Sequence, residues 1–330
     1  MSDAPPNALN LLPDCLKLFA DGSNGVILLQ MPDNLQPLRD IALRHGRAGM
    51  TLTPIPRLEI GVGGQAASGT SPCLYRSMVC FILQGSKEVV IHDDLLRYDA
   101  SQYLVSALDL PLSGQIHDAE DGSPYVSVSL VLDAALLAEV ASTMPAVRDA
   151  GTPDSGLAIN PMTAHLRDTL LRLLALLDTP ADIPGLAAMA ERELLYRLLQ
   201  GPQGRLLRHI ARPEGAIGGI RRAVEWIRDH GNRQLRIEAL CEAAGMSRAS
   251  LHRHFVALTG LSPIQYQKQL RLQEARQMLL AGDHSASDVA YAVGYESASQ
   301  FNREYLRQFG APPVRDVRRI RQAIDNRMIK

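Results

Sequence analysis

The 330-residue sequence predicts an α+β multidomain protein, with an N-terminal β-barrel carrying Leu-rich helices and a C-terminal all-α domain holding two helix-turn-helix motifs. Three observations carry this. Short β-branched and aromatic runs with turn punctuation fill residues 77–131, apolar residues at helical spacing follow over 161–199, and the last third aligns with itself at an offset of 50 residues.

The strand region comes first. Val79 to Gln84 and Lys87 to His92 are separated by Gly85-Ser86, a Gly-first loop that fits a type II′ hairpin. Gln102 to Ser106 and Tyr125 to Leu132 read as further strands, with a loop from His117 to Ser123, and together predict an antiparallel barrel or sandwich. His92-Asp93-Asp94 reads as a hairpin end. Tyr75, Arg76, His117 and Tyr125 are read either as cavity lining or as ordinary surface and barrel packing, so the effector-binding residues stay unassigned.

Two amphipathic helices come next. Pro161 to Leu177 places Leu166, Leu170, Leu173, Leu174 and Leu177 on one stripe, and Glu191 to Leu199 does the same with Leu194, Leu195, Leu198 and Leu199. They either cap the barrel or pair with a second copy, and the homodimer is the preferred reading. Gly201-Pro202-Gln203-Gly204, then Pro213, Gly215, Gly218 and Gly219, break the pattern. The first domain is therefore drawn over 1–200, a linker over 201–218 and the helical domain over 219–320.

The repeat is the strongest signal. Ser247, Leu251, Arg253, Phe255, Gly260 and Pro263 fall on Ser297, Phe301, Arg303, Tyr305, Gly310 and Pro313, while Leu240 falls on Ala290 and Ala244 on Gly294. Each copy reads as two helices joined by a turn, over about 237–258 and 287–308. In the first, Gly245 ends a helix from Ile237 and Ser247 caps the helix Arg248 to Leu258, which presents Ala249, His252, Arg253 and Val256 opposite Leu251, Phe255 and Leu258. In the second, Gly294 breaks a helix from Ser287 to Val293, and Ser297 caps Ala298 to Gln308, which presents Ser299, Asn302 and Arg303 outward. Such polar faces carry the donors and acceptors that major-groove base edges require. Pro263 to Leu280 reads as a linking helix of roughly 27 Å, a length suited to neighbouring grooves.

Charge agrees. Residues 219–330 hold 18 Lys and Arg against 11 Asp and Glu, whereas residues 1–218 hold 16 against 24. A basic C-terminal module suits a phosphate backbone that the acidic front would repel.

The run Met246-Ser247, Leu251, Arg253, Phe255, Thr259-Gly260, Ser262-Pro263, Tyr266, Arg271-Leu272, Ala275-Arg276, then Gly294-Tyr295-Glu296-Ser297, Phe301, Arg303, Phe309-Gly310 and Pro312-Pro313 resembles the AraC/XylS family of transcription regulators. Phe81-Ile82-Leu83-Gln84-Gly85-Ser86-Lys87, Tyr98-Asp99, Tyr103 to Ser106 and Leu110-Pro111 resemble the cupin-like sensor of one subgroup of it. The resemblance implies that Ser247, Ala249, His252 and Arg253, and Ser297, Ser299, Gln300, Asn302 and Arg303, form the DNA-binding positions. It also implies that the partners are double-stranded promoter DNA, a small-molecule effector and, for an activator, RNA polymerase.

Plainer readings stand beside these. His252 and His254 also read as solvated side chains, and Arg303 as a phosphate contact. Arg315, Arg318, Arg319 and Arg321 read as a solvated or phosphate-facing end, and Trp226 as core beside Ile220, Ala223 and Ile227. Cys15, Cys73, Cys80 and Cys241 lack metal-ligand spacing and read as buried thiols, with Cys73 and Cys80 as a redox pair the alternative. The closely spaced His pair of catalytic cupins is missing, so no enzyme, metal or cofactor is expected; a cupin-like enzyme with a DNA-binding tail is the alternative. Met1 to Asp21 lacks secretory-signal features and no run of about 18 apolar residues occurs, so the expected location is the cytoplasm, on the nucleoid, with no membrane contact.

Overall fold

Leu38, Ile41 and Ala42 recur at helical spacing and are buried on one side of α1 (Gln36–His45), the first described helix. The computed structural model describes residues 34–63, 71–91, 94–145, 153, 155–212, 214–282 and 284–328, without the side chains of 71–73, 94 and 323–328. Cys15, the Cys73 thiol and the His92-Asp93-Asp94 hairpin end thus lie outside the described residues.

Among the described residues ten strands follow: β1 (Gly49–Leu52), β2 (Leu58–Val62), β3 (Ser71–Tyr75), β4 (Met78–Gln84), β5 (Ser86–Ile91), β6 (Asp94–Asp99), β7 (Gln102–Ser106), β8 (Leu110–His117), β9 (Val126–Val131) and β10 (Leu157–Pro161). They form two antiparallel sheets, ordered β1-β2-β9-β4-β7-β10 and β3-β8-β5-β6. The predicted β4–β5 hairpin is absent. β4 pairs with β7 and β9, whereas β5 pairs with β6 and β8 in the other sheet. The reason is local: Gly85 has φ +76°, and a Cβ there would lie 2.3 Å from the His117 carbonyl oxygen. The glycine turns a corner between sheets instead of reversing the chain, and Ser86 already belongs to the next strand.

Asp133 caps α2 (Ala134–Ser142) by accepting from the Ala135 and Leu136 N–H groups, and Thr163 caps α3 (Ala164–Ala175). A 3-10 turn at Pro180–Asp182 leads into α4 (Ile183–Gln200). The predicted leucine stripes of both helices are buried in this chain's own core, leaving Leu186 and Met189 as the exposed large apolar residues of α4. Within the expected linker, Gly204–Ala211 forms α5, which buries Leu206, Leu207 and Ile210 and packs on α2 and α4.

The C-terminal region is helical: α6 (Ala216–Asp229), α7 (Ile237–Ala244), α8 (Arg248–Thr259), α9 (Pro263–Ala281), α10 (Ala286–Ala292), α11 (Ala298–Phe309) and α12 (Pro313–Met328). Ile220, Ala223 and Ile227 are buried as predicted, while Trp226 is partly buried and stacks on His230 with ring centroids 4.3 Å apart.

The repeat needs one correction. The Met246 N–H donates to the Cys241 carbonyl and the Tyr295 N–H to the Ala290 carbonyl, the same helix-ending bond in both units. These pairs are 49 residues apart, so Leu240 corresponds to Val289 and Ala244 to Val293, while the following helices keep the offset of 50. The second turn carries one extra residue between its glycine and its capping serine.

Apolar packing divides the chain unevenly. One continuous core runs from α1 through both sheets to α8 and Tyr266, while Leu272, Ala275, Leu279, Val289, Ala290, Val293, Tyr295, Phe301, Tyr305, Phe309 and Val317 form a second. The first helix-turn-helix unit thus shares its core with the sensor. The second has its own.

Candidate nucleic-acid interface

Each recognition helix begins at a serine whose hydroxyl accepts from the backbone three residues on: Ser247 from Ser250 at 3.3 Å and Ser297 from Gln300 at 3.2 Å. Each ends at a left-handed glycine, Gly260 with φ +76° and Gly310 with φ +71°. Leu251, Phe255 and Leu258 anchor α8, and Phe301, Tyr305 and Phe309 anchor α11. The opposite faces are left to solvent. Ser247, Ala249, His252 and Arg253 are exposed on α8, and Ser297, Ser299, Gln300, Asn302 and Arg303 on α11.

Ala249, His252 and Arg253 border a groove of about 720 Å³ with Ile237, Arg248, Ser262, Pro263 and Ile264. Gln300 borders a second, of about 320 Å³, with Lys268, Arg271, Tyr295 and Glu304. Ile264 lines both and is 63% exposed. Arg248, Ile264 and Lys268 had no role in the sequence reading; an exposed isoleucine directly after the helix-starting Pro263 is the signal that marks this position.

The charged groups beside α11 are ordered. Lys268 Nζ lies 2.9 Å from Glu304, which also accepts from the Tyr295 hydroxyl at 2.9 Å. Burial pushes the Glu304 carboxyl up, but the Lys268 and Tyr295 hydrogen bonds outweigh it and hold the group below its ordinary value. His254 is held below the usual imidazole range by burial and by neighbouring Arg253. Behind the helices, Asp316 is fully buried and binds Arg276, Arg319 and the Tyr305 hydroxyl. Arg321 donates to the Leu279 and Leu280 carbonyls at 2.9 and 3.1 Å. It therefore caps α9, and Arg319 pairs with Asp316 within α12, while both side chains stay exposed at the solvated end expected of them. Arg315 and Arg318 are exposed.

The first unit touches the sensor at named atoms. The Tyr266 hydroxyl donates to the Asp109 carbonyl, Arg228 pairs with the Asp109 carboxylate at 3.2 Å, and the Gly156 N–H donates to the Leu258 carbonyl at 3.2 Å. A Cβ on Gly156 would lie 2.3 Å from that Leu258 oxygen. Between the two parts lies a cleft of about 530 Å³ bordered by Arg76, Asp109, Asp133, Arg221, Glu225 and Arg228.

Between the sheets the lining is polar. Register sets Glu59, Ser129, Cys80 and Leu104 side by side, and Lys87 beside Tyr98 and Ile116 on the other sheet. The Lys87 ammonium lies 4.4 Å from the Tyr75 ring centre. Tyr98 is buried, and among the described residues its hydroxyl has no partner at full hydrogen-bonding geometry. Burial, with Cys80, Tyr75 and Tyr125 nearby, pushes it well above the ordinary phenol range. Tyr75 and Tyr125, two of the residues whose role the sequence left open, thus belong to this group. Arg76 instead pairs with Glu59, and His117 lies 3.4 Å from Glu88. Among the described residues no group of three His, Cys, Asp or Glu side chains is placed to hold a metal. No single described helix is long and apolar enough to cross a membrane.

Two family models match: AraC-type transcriptional regulator N-terminus over residues 54–206 and helix-turn-helix domain over residues 240–319. The HTH-type transcriptional activator RhaS of Salmonella typhimurium is 33% identical over 156 residues, which is 46% of this chain and 54% of RhaS. The match therefore spans about half the length of these relatives. Among solved structures, an apo form of ToxT from Vibrio cholerae strain SCE256 is similar with a TM-score of 0.54 at 12% identity, over 82% of this chain and 98% of that one. Wild-type ToxT of the same strain, solved with an unsaturated fatty acid bound, gives 0.52 at 12% identity, over 79% and 94%. At that identity the likeness speaks for the two-domain fold.

Proposed function

The chain belongs to the AraC-type transcriptional regulators, and from that premise we propose that it regulates transcription by reading a two-element duplex site. The carrying observation is the repeat: two capped helices with apolar anchors at matching positions, each leaving a polar face free. In this reading His252 and Arg253 on α8, and Ser299, Gln300, Asn302 and Arg303 on α11, read base edges, and Ala249 offers a surface for thymine methyls. The Ser247 and Ser297 backbones lie at helix N-termini, which favour phosphate. Arg315 and Arg318 supply sequence-independent attraction.

The sensor would hold a small effector rich in hydrogen-bond acceptors, because Lys87 and the Tyr98 hydroxyl both offer donors between the sheets. Effector state would reach the DNA-binding part through Asp109 and Gly156, which touch α6, α8 and α9. Homodimerisation through the exposed Leu186–Met189 end of α4 and, for an activator, contact with RNA polymerase complete the reading.

Selection of bound fragments from the source genome, followed by salt-dependent binding to the best fragment and to a scrambled duplex, tests the DNA part. A tight site with two elements about one helical turn apart supports it. Equal binding to both duplexes across salt overturns it and moves the enzyme with a DNA-binding tail, or an architectural DNA binder, ahead. Ligand screening by thermal shift tests the sensor: an effector at a hundred times its Kd stabilises by about 2.7 kcal/mol, and Lys87→Met removes that shift.

A further inference from the structure

The two recognition helices are anchored in different apolar cores, so core packing alone does not fix the distance between them. The joint is made at the middle of α9. Arg271 donates from Nε to the Gly231 carbonyl at 2.6 Å and from Nη2 to the Arg233 carbonyl at 2.7 Å, both in the turn between α6 and α7. Its third nitrogen, Nη1, donates at 3.1 Å to the Gly294 carbonyl, in the turn between α10 and α11. One guanidinium thus holds the turn that leads into the first unit together with the turn inside the second. One helical turn earlier, Gln267 Nε2 donates to the same Gly231 and Arg233 carbonyls at 3.1 and 2.8 Å.

The two turns are pressed together at backbone distance. A Cβ on Gly294 would lie 2.2 Å from the Asn232 carbonyl oxygen, and Gly294 has φ +88°, so both close approach and backbone conformation call for glycine there. The Gly231 carbonyl lies just beyond the end of α6, where helix carbonyls concentrate negative potential. A planar fork with five donors addresses three carbonyls at once; a lysine ammonium at that position is a single point charge and cannot span them.

We propose that Arg271 sets the spacing at which the chain reads the two elements of its DNA site, a positioning role that rests on the two-element reading above. One added base pair shifts the second element by about 3.4 Å and turns it by roughly 35° about the duplex axis. A locked pair of helices cannot follow that change. A hinged pair can.

The test measures full-length protein by fluorescence anisotropy on the selected duplex, on versions with one base pair removed or one or two added between elements, and on duplexes retaining a single element. Wild type loses about tenfold or more in affinity at each altered spacing. Arg271→Lys keeps single-element affinities within about twofold of wild type while its spacing preference falls below about threefold. Gln267→Ala gives an intermediate profile. An Arg271→Lys profile that matches wild type overturns the proposal. Should that variant lose the second element outright through misfolding, the Gln267→Ala profile decides, and its identity with wild type overturns the proposal equally. Absence of any two-element site for wild type is a different failure, which sinks the DNA reading itself and this inference with it.

Discussion

Replacing Asp316 with alanine tests whether the second helix-turn-helix unit stands on its own core. The carboxylate is fully buried. Arg276 approaches it with Nε at 2.8 Å and Nη2 at 3.3 Å, and the Tyr305 hydroxyl donates at 3.0 Å. Arg319 also lies at 2.8 Å but is 63% exposed, so solvent screening leaves it a minor contributor. The alanine variant strands the Arg276 guanidinium, itself only 14% exposed, against the Phe309 ring without its counter-charge. Removing one partner of such a buried pair costs about 3–5 kcal/mol, which for a unit of this size approaches its whole stability. Because the second core ends at Leu272, the loss is confined to residues beyond it. Hydrogen exchange should show protection in α10, α11 and α12 falling by about 10² to 10⁴-fold, with the strands and α8 unchanged. Single-element binding should lose the second element and keep the first. A uniform fall across the chain, or none, refutes the two-core argument.

Three further outcomes follow from the same geometry. Arg303→Ala should lower discrimination between the selected and a mismatched site by about 1–3 kcal/mol, while Arg318→Ala weakens both duplexes alike and reduces the salt slope by about one; equal losses for both variants contradict this division. Glu304 has a depressed carboxyl, so its link with Lys268 and Tyr295 stabilises the second unit at neutral pH and is lost as pH falls below the ordinary glutamate range. Glu304→Gln should therefore flatten the fall in thermal stability below about pH 4, and melts that keep the wild-type slope there would refute the assignment. Gly156→Ala should force the sensor away from Leu258 and make DNA affinity insensitive to effector, as read by binding with and without ligand; an unchanged effector response would show that Gly156 does not transmit it.

The C-terminal region was legible because its punctuation is chemical. Serine caps, left-handed glycines and aromatic anchors each have one structural use, and Ser297, Gly310 and Phe301 serve it. A single offset misplaces Leu240 and Ala244 because the second turn carries one extra residue, whose trace is the spacing of 49 between Gly245 and Gly294 against 50 between Ser247 and Ser297. The sheets were harder to read. Gly85 signals positive φ in the sequence, but whether such a residue reverses a chain or turns it into another sheet depends on the partner strand, here β8 through His117. β10 pairs with β7 across more than fifty residues, and no local pattern encodes that partner. Arg271 looked like one polar residue of a linking helix, since its three partners are backbone carbonyls that carry no side-chain signature.

The way α9 straddles two cores has an evolutionary and engineering meaning. Its first turn, through Tyr266, is committed to the sensor side, with Leu270 packed against the same core, and from Leu272 onward it serves the second unit. A graft that keeps Gln267, Arg271, Leu272, Ala275 and Leu279 and exchanges the helices beyond would give the chain a new half-operator with its ligand response untouched. On the two-element reading, substitutions beyond Leu272 can change how one DNA element is recognised while leaving the core that carries the other unaltered.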